Sequence, residues 1–128
     1  MLPLPHASFR WGRSLPRPWL VRVRGRSMEP TLHEGDVLLA LRGAGIRPRD
    51  VVVVRLPPDP AGLPRPVAVK RIAGRDPDAP ERWWVDSDNP REGVTSFDVG
   101  SLEQSAVEAR VIARIWPRPG LLGRRERP

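Results

Sequence analysis

Ser27 and Lys70 are the residues whose types and settings could do chemistry together. Ser27 lies in Gly25-Arg26-Ser27-Met28-Glu29-Pro30, between an alternating apolar run at residues 20–23 and a turn at Glu34-Gly35-Asp36. A serine where a strand meets a turn can present its hydroxyl to a cleft. A hydroxyl alone is a weak nucleophile and needs a base beside it. Serines before proline-containing turns also serve simply to bond the local backbone. The position of a base decides between the two roles.

The chain holds 22 Lys and Arg, and Lys70 is its single lysine. Lysine can release its proton, whereas arginine in effect cannot. In Val67-Ala68-Val69-Lys70-Arg71-Ile72, alternation puts Ala68, Lys70 and Ile72 on one face and Val67, Val69 and Arg71 on the other. Arg71 is then the residue expected to face solvent. An ammonium among apolar neighbours is desolvated, and its pKa falls from about 10.4 toward neutrality. A neutral lysine is a competent general base near pH 7. The other role for such a lysine is to snorkel from a strand edge into water. The two histidines offer less: His6 lies in a proline-rich arm, and His33 is too close to Ser27 along one turn to fold back as its base. No His-x-x-x-His spacing occurs, and the absence of cysteine excludes a thiol nucleophile, a disulfide framework and a Cys-ligated zinc. No metal or other cofactor is expected.

The elements that must position this pair are short. The chain has 128 residues, enough for one domain with a modest core, and its 17 prolines disfavour long helices. Strands are expected at residues 20–23, 36–41, 50–56, 66–72, 82–86 and 107–116, with one helical turn starting near Ser27 and another within 102–108. The run 36–41 is apolar on both faces and so belongs inside a sheet. The pattern Gly35-Asp36-Val37 recurs as Arg49-Asp50-Val51 before the next strand. The fold class is mainly β: a single small domain of short antiparallel strands. Residues 1–19 form a loose basic Pro-rich arm, 20–117 the domain, and 118–128 a basic tail. No run of about 18 apolar residues is present to span a membrane.

Taken together, the motifs resemble a known family. Gly25-Arg26-Ser27-Met28-Glu29-Pro30-Thr31-Leu32 looks like the serine box of the type I signal peptidases, and Val69-Lys70-Arg71-Ile72-Ala73-Gly74 like their lysine box. Asp86-Ser87-Asp88-Asn89-Pro90, followed by Thr95-Ser96-Phe97-Asp98-Val99-Gly100, is similar to the family's Gly-Asp-Asn box and closing Ser/Asp/Gly. The matches stand in family order over residues 20–116. The short chain without an anchor helix, Asp-Asn-Pro, and the ending Ile115-Trp116-Pro117 look most like the subgroup that matures nickel-type superoxide dismutase.

The resemblance implies a signal-peptidase-like catalytic β fold and a serine endopeptidase with a Ser/Lys dyad. Ser27 attacks the scissile carbonyl and Lys70 moves the proton. Gly25, Met28, Asp88, Asn89, Ser96 and Asp98 are the residues expected to form the oxyanion site and the support around the dyad. Three departures are visible. Gly25 stands where a second hydroxyl often lies, so backbone or water must do that work, with the Ser27 N–H the expected oxyanion donor. Ser87 replaces a glycine. Gly93 replaces a serine that orients the lysine, a task that falls to Ser96 or Thr95.

The partner implied is a precursor protein whose N-terminal extension binds in extended form along Val and Leu strand edges and is cut after a small residue. Nickel superoxide dismutase is the substrate the subgroup suggests. The net charge of +7 could serve nucleic acid or an anionic surface. The arginines are scattered, however, and no aromatic ladder accompanies them, so no specific nucleic-acid partner is expected. The expected location is cytoplasmic or membrane-peripheral, with Trp11 and Trp19 among arginines as the contact. Three other readings stay open: a membrane-associated signal peptidase, a repressor-like autoprotease, and an inactive β-fold binding module.

Overall fold

The computed structural model describes residues 15–122. Seven strands form one antiparallel sheet: β1 (Arg17–Arg22), β2 (Val37–Arg42), β3 (Val51–Val54), β4 (Ala68–Asp76), β5 (Ala79–Asp86), β6 (Val107–Trp116) and β7 (Gly120–Leu121). Their spatial order is β1-β2-β6-β3-β4-β5, with β7 paired to β6. Between β5 and β6 lie a one-turn helix, α1 (Ser96–Val99), and a 3-10 turn at Gln104–Ala106. The mainly-β fold class follows directly. Among the described residues no helix is long and apolar enough to cross a membrane.

The core consists of two apolar clusters that share β3. All four valines of β3 are buried. Val51 and Val53 pack with Val23, Met28, Leu32, Leu38, Val69 and Val111. Val52 and Val54 face the other way, onto Ile72, Trp83, Val85 and Leu102. A run of β-branched residues buried on both faces needs interior placement in a sheet, and β3 lies between β6 and β4.

The strand starts repeat a common device. Gly35 and Arg49 both hold positive φ, +94° and +75°. The aspartate after each accepts a hydrogen bond from the backbone N–H three residues earlier: His33 to Asp36 at 2.9 Å and Arg47 to Asp50 at 2.8 Å. This explains the recurrence in the sequence. The short aspartate side chain closes a tight turn and releases the chain into a strand.

Several expected boundaries shift. β1 begins at Arg17, inside the expected arm, because residues 17–22 pair in unbroken register with β2. The connection between the strands expected at 66–72 and 82–86 is much shorter than those bounds leave. β4 runs on to Asp76 and β5 starts at Ala79, with Gly74 at an irregularity in their pairing. The tail is not entirely loose, since Gly120 and Leu121 pair with Arg114 and Ala113. The rest of the expected arm and tail, residues 1–14 and 123–128, lies outside the described residues.

Candidate active site

Ser27 is held on a turn whose apolar side is anchored in the core. Met28 and Leu32 are almost fully buried, and the Leu32 N–H bonds Met28 O at 2.9 Å, closing the one helical turn expected there. Met28 therefore acts as the hydrophobic anchor beneath Ser27. Burial of a side chain of that size contributes about 1.5–3 kcal/mol. The segment from β1 into this turn runs through Gly25, which has φ +77° and open space where a Cβ would stand. A left-handed backbone, more than lack of room, keeps a larger residue out.

Lys70 lies on β4 opposite Val52 of β3 and is only 2% exposed. It shares a face with Ile72, as the alternation requires. Burial lowers its pKa below the ordinary lysine value, while the charges of Asp86 and Asp98 pull in the opposite direction. The desolvation effect dominates because the ammonium has left water and neither carboxylate contacts it directly.

The two side chains converge at Gly93. A Cβ placed on Gly93 would lie 2.6 Å from Lys70 Nζ, 2.7 Å from Ser27 Cβ and 3.1 Å from Ser87 Oγ. Lys70 Nζ and Ser27 Cβ are thus separated by no more than those first two distances together. Gly93 also holds φ +86°, which favours glycine independently of the crowding. The serine that the resemblance puts here has no room for its side chain.

The hydroxyl that meets the lysine is on the neighbouring loop. Lys70 Nζ donates to Ser87 Oγ at 3.1 Å, and Ser87 is buried. The two residues expected to orient the lysine have other work. Ser96 Oγ accepts the Val85 N–H at 2.8 Å and ties α1 to β5. Thr95 caps α1, with Asp98 returning a bond to the Thr95 N–H. Asp98 therefore acts on Lys70 only through its field. Ser87 escaped the sequence reading as a lysine partner, although its departure from glycine paired with the loss of serine at 93 was the available signal.

Asp88 and Asn89 clamp the serine turn to the lysine strand. Asp88 accepts two hydrogen bonds from Arg71, at 3.1 and 2.6 Å, and one from Thr31 Oγ1. Arg71 follows Lys70 and Thr31 lies four residues after Ser27, so one carboxylate joins the segments that carry both residues. Arg71 is consequently not a solvent-facing residue: its side chain is 13% exposed, because the bidentate pair holds it against the protein. Asn89 donates its N–H to Ser27 O at 2.8 Å and its side-chain amide to Arg26 O at 3.0 Å. These bonds occupy the carbonyls around the serine. The Ser27 N–H has no hydrogen-bond partner among the described residues and remains available to an incoming oxyanion.

A groove of about 600 Å³ runs to this point. Residues 19–28 and 65–70 line it, together with Leu56, Glu92, Gly93 and Val94. Among the described residues β1 is the last strand of the sheet, and none of them pairs with its outer edge. β4 pairs with β5 only from Arg71 onward, which leaves the edge of its first residues open as well. An extended peptide between them could add to either edge.

A mainly-β domain with a serine and a buried lysine at the end of a peptide-sized groove has the construction of a serine peptidase. The family comparison agrees. Residues 4–112 match the family model described as Peptidase S24-like, and the chain belongs to that family. No curated protein matches it.

Proposed function

We propose that the chain is a serine endopeptidase in which Ser27 and Lys70 form a catalytic dyad, and that it removes an N-terminal extension from a precursor protein. The observation that carries this reading is the convergence of Lys70 Nζ and Ser27 Cβ on Gly93 at the end of the groove. Neutral Lys70 takes the proton as Ser27 Oγ attacks the scissile carbonyl. The resulting oxyanion binds the free Ser27 N–H, an interaction worth about 2.7–4 kcal/mol at such sites. The Lys70 ammonium then gives its proton to the leaving amine. A water molecule, deprotonated by Lys70, hydrolyses the acyl ester and returns Ser27 to its hydroxyl form. Throughout, the buried Ser87 hydroxyl holds Nζ. Nζ and Ser27 Oγ share no hydrogen bond in the free protein. Catalytic hydrogen bonds of this kind commonly tighten only with substrate bound.

The resemblance to the nickel superoxide dismutase maturation subgroup supplies the candidate substrate. Co-expression with a nickel superoxide dismutase precursor, with mass spectrometry of the product's N-terminus, tests both parts. Wild type should cut, and Ser27→Ala and Lys70→Arg should not. Cleavage that survives Lys70→Arg rules out lysine as the base. If wild type leaves this precursor intact but cuts another protein with the same dependence on Ser27 and Lys70, the substrate is wrong and the dyad stands.

A further inference from the structure

The charges along the groove are nearly all of one sign. Arg22, Arg24, Arg26 and Arg65 line it, and Glu92 is the acid among the lining residues. Val23 is buried in the core, which turns its neighbours Arg22 and Arg24 outward along the same edge. Arg26 is engaged only loosely, with Glu29 at 3.6 Å on the surface. Arg65 bonds the carbonyls of Pro57 and Pro58. Arg24 is exposed and has no hydrogen-bond or ion-pair partner among the described residues.

We propose that the groove selects an acidic peptide: an extended substrate with Asp or Glu within four residues of the bond to be cut, met by Arg24 and flanked by Arg22 and Arg65. This rests on the reading of Ser27 as the nucleophile. Arg24 lies three residues before Ser27 in a bent segment, with Gly25 at φ +77° and Ser27 on a turn, so the two stand at most about 11 Å apart. A peptide strand advances about 3.3 Å per residue, so a side chain within about three residues of the scissile bond comes within reach of Arg24. The apolar lining from Leu20, Val67 and Val69 takes the peptide body between these charges.

The test uses two fluorescein-labelled peptides, identical apart from Asp or Lys at the second and fourth positions from a central Ala-Ala bond. Binding to the full chain carrying Ser27→Ala is read by fluorescence anisotropy. The acidic peptide should bind at least about tenfold more tightly, a difference of about 1.4 kcal/mol, and the margin should narrow as salt is raised. Adding Arg24→Glu should remove or reverse the preference. Equal affinities, no binding of either peptide, or a preference untouched by Arg24→Glu overturns the proposal. So does displacement by oligothymidylate at lower concentration than by unlabelled acidic peptide, since the arginines would then be holding phosphate. Cleavage by the wild-type chain is measured separately. Cleavage of both peptides at equal kcat/KM overturns the acidic selection and leaves the protease reading intact. Acid-selective binding without cleavage has the opposite meaning.

Discussion

Gly93→Ala should abolish most activity through crowding at the dyad, beyond any effect on the backbone. The added Cβ would stand 2.6 Å from Lys70 Nζ and 2.7 Å from Ser27 Cβ. Non-bonded heavy atoms settle at about 3.5–4.0 Å, so each group must retreat by roughly 1 Å. A displacement of that size in a reacting group costs on the order of a hundredfold in rate. The left-handed φ adds about 1–2 kcal/mol of instability for any residue with a Cβ. Gly43→Ala separates the two effects. Gly43 has a similar φ of +80° but open space around its Cβ position, in the turn after β2. Both variants should lose about the same stability in urea titrations, apart from the extra cost of crowding in Gly93→Ala. Only Gly93→Ala should lose kcat/KM on a cleavable peptide by about a hundredfold or more. Near-wild-type activity in Gly93→Ala, with a stability loss matching that of Gly43→Ala, would refute the claim that Ser27 and Lys70 meet at this point.

Three further outcomes follow from the same geometry. Ser87→Ala removes the hydroxyl that holds Lys70 Nζ and should lower kcat by about tenfold to a hundredfold, with KM nearly unchanged; a rise in KM at constant kcat would mean that Ser87 serves substrate binding instead. Lys70→Met should be inactive yet more stable than wild type at pH 7. The lowered pKa of Lys70 makes the unfolded chain bind more protons than the folded one between the folded value and about 10.4. Wild-type stability therefore rises with pH across that window, and below it the full desolvation cost is present. The advantage of Lys70→Met in urea titrations should shrink toward about pH 10.4, and a gap independent of pH would count against a desolvated ammonium. Asp88→Ala leaves Arg71 half-buried without this carboxylate and should destabilise by about 3 kcal/mol while also loosening the serine turn. A change under about 1 kcal/mol, the worth of a surface ion pair, would mean that Asp88 is no clamp.

What could be read in the sequence was whatever a short-range pattern controls. Period-two alternation placed Lys70 on the face of Ile72, and an unbroken apolar run made residues 36–41 an interior strand. The β-branched run at 51–54 marked β3, and the Gly-Asp and Arg-Asp pairs marked the turns that open β2 and β3. Alternation failed at Arg71 because it reports which side of a strand a residue leaves, and says nothing of what another loop places there. Asp88, from beyond β5, covers that side and holds the guanidinium. The end of β4 was missed for a related reason: Gly74 and Pro77 look like punctuation, yet a pairing irregularity absorbs the first and the two-residue turn the second.

The least legible part was the partner of Lys70. Ser87 and Gly93 each depart from the pattern the resemblance sets, and taken singly each looks like a loss. In space they are neighbours around one ammonium. A Cβ on Gly93 would lie 3.1 Å from Ser87 Oγ, so the hydroxyl and the empty space occupy adjoining sides of the same pocket. The Ser87 hydroxyl stands beside the space that a serine at 93 would need, and glycine at 93 leaves room for it. The two departures are therefore a single exchange. Restoring the usual residue at either position alone should damage the site: Ser87→Gly removes the hydroxyl that holds Nζ, and Gly93→Ser drives a side chain into it. The double variant Ser87→Gly/Gly93→Ser should recover more kcat/KM than the product of the single losses allows. Strict additivity in that double-mutant cycle would show that the positions act independently.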